Sequence, residues 1–188
     1  MRFLEYFHKN VKNIKLVDKR DSPLMKTINL LIKAGNALRI TNIKDDPSTP
    51  RDESFMGGYG TTIGSTIYES PSWRWDDPPS PHMLHELTHV VQFSPGMALR
   101  YIFSSEARMY FESECVQTEM LLDKKRACAP LWFERKVEQF KKYGCDEAAI
   151  RSILRRRAIE VLDGKPLHNP KLVHNVYMEW MKKYDDPA

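Results

Sequence analysis

Cysteine is scarce in this 188-residue chain, and its three copies, Cys115, Cys128 and Cys145, match no zinc-binding spacing. An odd, widely spaced set excludes a disulfide framework and points to free thiols in a reducing compartment. No apolar run approaches the ~20 residues that a membrane-spanning helix needs, so no membrane association is expected. The first residues, M-R-F-L-E-Y-F-H-K-N, carry charges throughout and have no apolar central stretch. We therefore expect no secretory signal and a cytoplasmic location. Neither sign of charge is in large excess. The 29 Lys and Arg against 25 Asp and Glu leave a formal +4, too little for charge alone to argue for nucleic-acid binding. Internal repeats and low-complexity tracts are missing as well, which removes repeat architectures.

What is present reads as globular: 41% of residues are hydrophobic and 29% charged. The length suits one domain. We expect a core over residues 1–128 and a helical C-terminal extension, residues 129–188, packed on it. Residues 1–17 are ambiguous: Phe3, Phe7, Val11 and Ile14 recur at helical spacing, while 14–17 could begin a strand. Ser22-Pro23 opens a helix that Gly35 ends or loosens. Residues 38–43 read as a strand and 45–53 as a loop. Gly57-Gly58-Tyr59-Gly60 is a turn. Residues 61–68, T-T-I-G-S-T-I-Y, are rich in β-formers and read as one strand. Gly64 inside it marks a bulge or the close approach of another backbone. Residues 70–81, with Trp73, Trp75, Asp76 and Asp77, form a loop that either walls a cleft or caps the core. A long helix is expected from Ser104 or Ser105 to about residue 127, and three further helices over 131–143, 146–162 and 169–184. The fold class expected is α+β.

One stretch organises the rest: residues 81–93, P-H-M-L-H-E-L-T-H-V-V-Q-F. Ser80 is a good N-cap and Pro81 suits the first helical position. Ser94-Pro95-Gly96 stops the helix. On that helix His85 and His89, four apart, share a face with about 6 Å between Cβ atoms. Two imidazoles so placed can hold one Zn²⁺, and Glu86 between them can reach a water on the metal. Leu84, Leu87, Thr88 and Val91 make the helix largely buried. Buried polar groups are costly without a partner, and a metal is such a partner.

A zinc site that does chemistry has three protein ligands and one open position. No third His continues the motif at the metzincin spacing, since Val90 to Pro95 follow. The helix after it offers Glu106, Glu112, Glu114 and Glu119. At about 100° per residue, Glu112 and Glu114 point about 200° apart, so only one of them faces the metal. Glu112 and Glu119 share a face. Met109, Val116 and Met120 surround Glu112 at helical spacing and turn it to the core, whereas Glu114 is expected on a solvated side.

H-E-L-T-H-V-V-Q followed by a helix with E-S-E-C resembles the gluzincin branch of the zincin metallopeptidases. The resemblance covers roughly residues 38–122, and the order of a strand, a loop and the H-E-L-T-H helix is also similar to small zincin-like proteins of phages and bacteria. It implies Zn²⁺ as cofactor, His85, His89 and Glu112 as ligands, and Glu86 as catalytic base. It implies a peptide or protein substrate docked on the strand before the metal helix. Cys115 stands where Ala is usual. Val116 stands where such families carry an Asp or Asn that orients a ligand His, so that hydrogen bond must come from elsewhere.

The activity this implies is peptide-bond hydrolysis, with Glu86 moving the proton. Tyr59, Tyr110, His168 or His174 could donate to the developing oxyanion. The alternatives are a catalytically silent zincin-like structural protein, such as a virion or assembly component held by its metal, and a nucleic-acid-associated zincin. The last would use Lys124-Lys125-Arg126 and Arg155-Arg156-Arg157, although no aromatic residues interleave these clusters.

Overall fold

The computed structural model describes residues 1–37, 60–70, 75, 78–142 and 144–184. Within them helices dominate, and three short strands form one small sheet, an α+β arrangement. The ambiguous N-terminal segment forms both elements. α1 (Phe3–Asn10) buries Phe3, Tyr6 and Phe7, and β1 (Lys15–Asp18) follows it. α2 (Pro23–Ala37) opens where Ser22-Pro23 indicates, with the Met25 amide donating to the Ser22 hydroxyl at 3.2 Å.

The run read as one strand over 61–68 is a hairpin. β2 (Thr61–Ile63) turns through Gly64 and Ser65 into antiparallel β3 (Thr66–Glu69), with Thr62 opposite Ile67. Gly64 has φ +65°, the left-handed backbone that a two-residue hairpin turn requires and that costs glycine little. It therefore makes the turn itself, neither a bulge nor a site of close approach. β-propensity is high on both sides of it, which is why the strand signal runs through the turn unbroken. β1 lies parallel to β3, Leu16 opposite Ile67, so the order is β1-β3-β2 and, among the described residues, β1 and β2 are the two edge strands. The strand expected over 38–43, the loop over 45–53 and most of the turn at 57–60 lie outside the described residues. In the loop before the metal-motif helix, Trp75 stacks on Phe3 with ring centroids 6.5 Å apart and covers the core.

α3 (Pro81–Gln92) carries H-E-x-x-H; the Ser80 hydroxyl accepts from the Met83 amide at 3.4 Å, with Pro81 in the first turn. α4 (Pro95–Phe103) starts at the Ser94 cap, and α5 (Ser105–Leu122) at the Ser104 cap. α5 ends earlier than its periodicity indicates. The Asp123 carboxylate accepts the Lys125 N–H at 3.1 Å and begins a separate turn, α6 (Lys124–Ala127). An acidic cap thus competes with continuation of the helix. α7 (Pro130–Lys141), α8 (Glu147–Leu162, capped by Asp146) and α9 (His168–Tyr184) follow. No described helix is long and apolar enough to cross a membrane.

Two apolar cores flank one polar seam. The first gathers Phe3 and Phe7 of α1, Ile67 of β3, Leu84, Leu87 and Val90 of α3, and Val173 and Trp180 of α9. The second gathers Val116 and Met120 of α5, Val137 and Phe140 of α7, and Ile150, Leu154 and Val161 of α8. Residues 129–188 thus contribute to both cores. α3 and α5 pack on one another between the cores, and the faces they share are polar. Thr88 and Thr118 join them by a 2.7 Å hydroxyl contact, both side chains fully buried. A polar seam of this kind costs stability unless every group has a partner. The partners are the metal-motif residues.

Candidate metal centre

α3 directs His85 and His89 into the seam, with ring centroids 5.1 Å apart and ring planes at 76°. Opposite them, α5 presents Glu112, 3% exposed. Its carboxylate straddles the two rings: Oε2 lies 3.4 Å from His85 Nε2, and Oε1 lies 3.4 Å from His89 Nε2. Two ligands of a tetrahedral ion, each at about 2.0–2.1 Å, stand about 3.3–3.4 Å apart. The spacing is wider than the usual charge-assisted hydrogen bond and fits ligands around a small dication.

The remaining ring nitrogens point away from Glu112 to side-chain acceptors, one buried and one half-buried. His85 Nδ1 lies 2.9 Å from Glu119 Oε1. His89 Nδ1 lies 3.0 Å from Gln92 Oε1, and Gln92 Nε2 donates to the Phe111 carbonyl at 3.0 Å and to Glu114 Oε2 at 2.7 Å. Cys115 Sγ also approaches His89 Nδ1, at 3.3 Å. His85, His89 and Cys115 therefore form a buried cluster, with one donor atom each within 4.8 Å of one another, that could hold a metal ion.

The electrostatics suit a cation. Burial alone would raise the Glu112 pKa, but the His89 and His85 imidazoles hold it well below the usual carboxylate range. Burial would lower His85, yet Glu112 and Glu119 raise it, and His89 is raised well above its ordinary value despite the same cost. Glu119 is brought down to about 2 against its burial, by His85 and Lys136. Burial pushes the Cys115 thiol up to about 12. Without a metal, the imidazoles thus share protons against Glu112; a dication placed there substitutes for those protons and releases them.

Glu86 leaves the seam toward the sheet, where its Oε2 accepts from the Thr62 hydroxyl of β2 at 2.6 Å. Lys19, fully buried at the end of β1, has its pKa lowered to about 8 by burial, against the pull of Glu86. The structure thus brings His85, His89 and Glu112 together, whereas Glu86, on the same helix, is held by Thr62 of β2.

Glu114 corrects the sequence reading. It is 6% exposed, not solvated, and accepts from Gln92 and from Asn169 of α9 at 3.1 Å. The reason is that α5 is covered on all sides, by α3, α4, α8 and α9, so its whole run from Glu112 to Met120 is buried. Glu106 stays exposed in the first turn, and Glu119 faces His85 from behind. The hydrogen bond that Val116 cannot make is made by Glu119, three residues on. Val116 itself lies in the second core.

Of the residues considered for oxyanion donation, Tyr59 is outside the described residues. Tyr110 is 43% exposed and lies against Arg157, 5.0 Å from its ring. His168 is exposed, and His174 sits near Asn175 and Lys124. The group at the site is Tyr101 of α4, which no local signal marks. Its hydroxyl donates to Glu112 Oε1, and its ring packs edge-on to His89 at 6.2 Å. Arg157 turns inward, 1% exposed, and bonds Ser113 Oγ at 3.1 Å and Glu160 Oε2 at 2.9 Å. That removes one of the three arginines from the basic cluster on α8. Compared with family models, curated proteins and solved structures, the chain matches none.

Proposed function

We propose that this protein is a zinc-dependent peptidase of the zincin type, gluzincin-like in its ligands. His85 and His89 bind zinc through Nε2, and Glu112 supplies the third donor. The observation that carries the reading is the orientation of the two rings: both Nε2 atoms stand 3.4 Å from the Glu112 carboxylate while both Nδ1 atoms are held by side-chain acceptors behind them. Cys115 approaches His89 through Nδ1, the nitrogen that Gln92 already engages, so the Nε2-facing carboxylate makes the better third ligand. When bound, zinc supplies a Lewis acid that acidifies water and polarises a carbonyl.

The chain's own residues do the rest. Glu86, steadied by Thr62, takes a proton from the attacking water and passes it to the departing amine. Tyr101, whose single O–H proton rests on Glu112 Oε1, swings that proton to the carbonyl oxygen as charge develops there. β2 is one of the two edge strands among the described residues and the one that packs beside α3, so an extended peptide can add to it through main-chain hydrogen bonds. Zinc-loaded protein is expected to cleave members of a mixed peptide library and to stop when a chelator removes the metal. A second reading, a silent zincin-like structural or virion component stabilised by its metal, draws on the burial of His85 and Glu112 at 7% and 3% exposure. Full zinc occupancy with no cleavage of any peptide would favour it. Tyr101→Phe is expected to lower kcat by about 10²–10³-fold with zinc content unchanged, the loss typical of one oxyanion donor. Steady-state kinetics beside metal analysis checks this, and an unchanged kcat would return Tyr101 to a packing role.

A further inference from the structure

Both metal-site histidines are steered by hydrogen-bonded chains that begin in residues 129–188. In the first, Lys136 Nζ of α7 donates to Glu119 Oε1 at 2.8 Å, and the same oxygen stands 2.9 Å from His85 Nδ1. Lys136 is 5% exposed and Glu119 fully buried, so the chain is closed to solvent. In the second, Asn169 Nδ2 of α9 donates to Glu114 Oε2 at 3.1 Å; that oxygen accepts from Gln92 Nε2 at 2.7 Å, and Gln92 Oε1 stands 3.0 Å from His89 Nδ1.

The chemistry of these chains fixes which ring nitrogen carries a proton. The Phe111 carbonyl and the Glu114 carboxylate only accept, so the Gln92 nitrogen must face them and its oxygen must face His89. His89 Nδ1 is therefore the donor. Glu119, paired with Lys136, only accepts as well, so His85 Nδ1 is the donor on its side. With both Nδ1 atoms protonated, each ring that gives up its other proton presents an Nε2 lone pair on the Glu112 side.

We infer that residues 129–188 complete the metal centre, with Lys136 and Asn169 as positioning residues that lock His85 and His89 in the tautomer that ligates through Nε2. This rests on the reading that those Nε2 atoms hold zinc. A mere strut between α5 and α7 would not need the oxygen that meets Lys136 to be the one that meets His85. Nor would a strut between α5 and α9 need Glu114 to hold the amide that orients His89.

The test uses the whole 188-residue chain. Zinc affinity is measured by competition with a chelator for wild type, Lys136→Met, Asn169→Ala and Glu119→Gln, with helical circular dichroism as the check on folding. Long-range ¹⁵N–¹H spectra of the histidine rings in the zinc-loaded protein report the tautomer. Lys136→Met and Asn169→Ala are each expected to weaken zinc binding by about 10–100-fold, the usual effect of removing a group behind a ligand. Adding Lys136→Met to Glu119→Gln should cost less than about twofold more, because both act through His85, whereas Lys136→Met with Asn169→Ala should multiply. Wild-type spectra should show Nδ1–H for both rings, a result that stands even where a variant fails to fold. Folded variants that bind zinc like wild type, or a ring protonated at Nε2, would overturn the inference while leaving the metal centre intact. Wild type that takes up no zinc would overturn both.

Discussion

Glu86→Gln is expected to abolish most peptide hydrolysis, by about 10²–10⁴-fold in kcat/KM, while leaving zinc content and melting temperature close to wild type. The amide keeps the shape of the side chain and an oxygen that can still accept from the Thr62 hydroxyl, now 2.6 Å from Glu86 Oε2. What it loses is the ability to take a proton. Glu86 points to β2 and away from the point where Glu112 meets both rings, so its loss removes no ligand. Kinetics, metal analysis and a thermal melt of the same preparation check the three outcomes together. A variant that lost its zinc would make Glu86 a ligand instead.

Glu112→Ala is expected to have the other large effect, on zinc and on stability at once. Removing one partner of a buried charged pair typically costs about 3–5 kcal/mol, because the group left behind keeps its desolvation cost. Here two imidazoles lose the carboxylate that faces them. The zinc contribution to stability is lost as well, about 2.7 kcal/mol at a free metal concentration of 100 Kd. Glu114→Ala provides the contrast. Glu114 is also buried, and its removal leaves Gln92 and Asn169 short of an acceptor, a cost of about 1–3 kcal/mol. It contacts no ring, so zinc binding should weaken only through Gln92, by no more than about 100-fold. Chelator competition and melts with and without zinc separate the two variants. Zinc retained by Glu112→Ala and lost by Glu114→Ala would place the ligand on the other carboxylate.

Much of what positions the site is local and therefore readable in the chain. The i,i+4 histidines, the Ser80-Pro81 start and the Asp146 cap depend on neighbours within one turn. The hairpin at 61–68 was hidden because Gly64 interrupts a run whose propensity is uniformly β. Glu114 was misread because helical periodicity assumes a solvated face, and α5 has none between Glu112 and Met120. Glu119 shares the Glu112 face in the sequence, and Gln92 follows His89 by three residues, so both were within reach, yet their role behind the rings depends on the α3–α5 contact. Tyr101, Lys136 and Asn169 carry no local signal at all. They reach the site only because α4, α7 and α9 pack around α5, and for α7 and α9 that placement is made by apolar residues elsewhere on the helix, such as Val137, Phe140, Val173 and Trp180.

X-ray absorption at the zinc edge of the metal-loaded 188-residue chain tests the centre itself. The expected first shell is nitrogen and oxygen at about 2.0–2.2 Å, with outer scattering from two imidazole rings and no sulfur near about 2.3 Å. A sulfur neighbour would move the third ligand from Glu112 to Cys115, and a protein that takes up no zinc would contradict the account at its root.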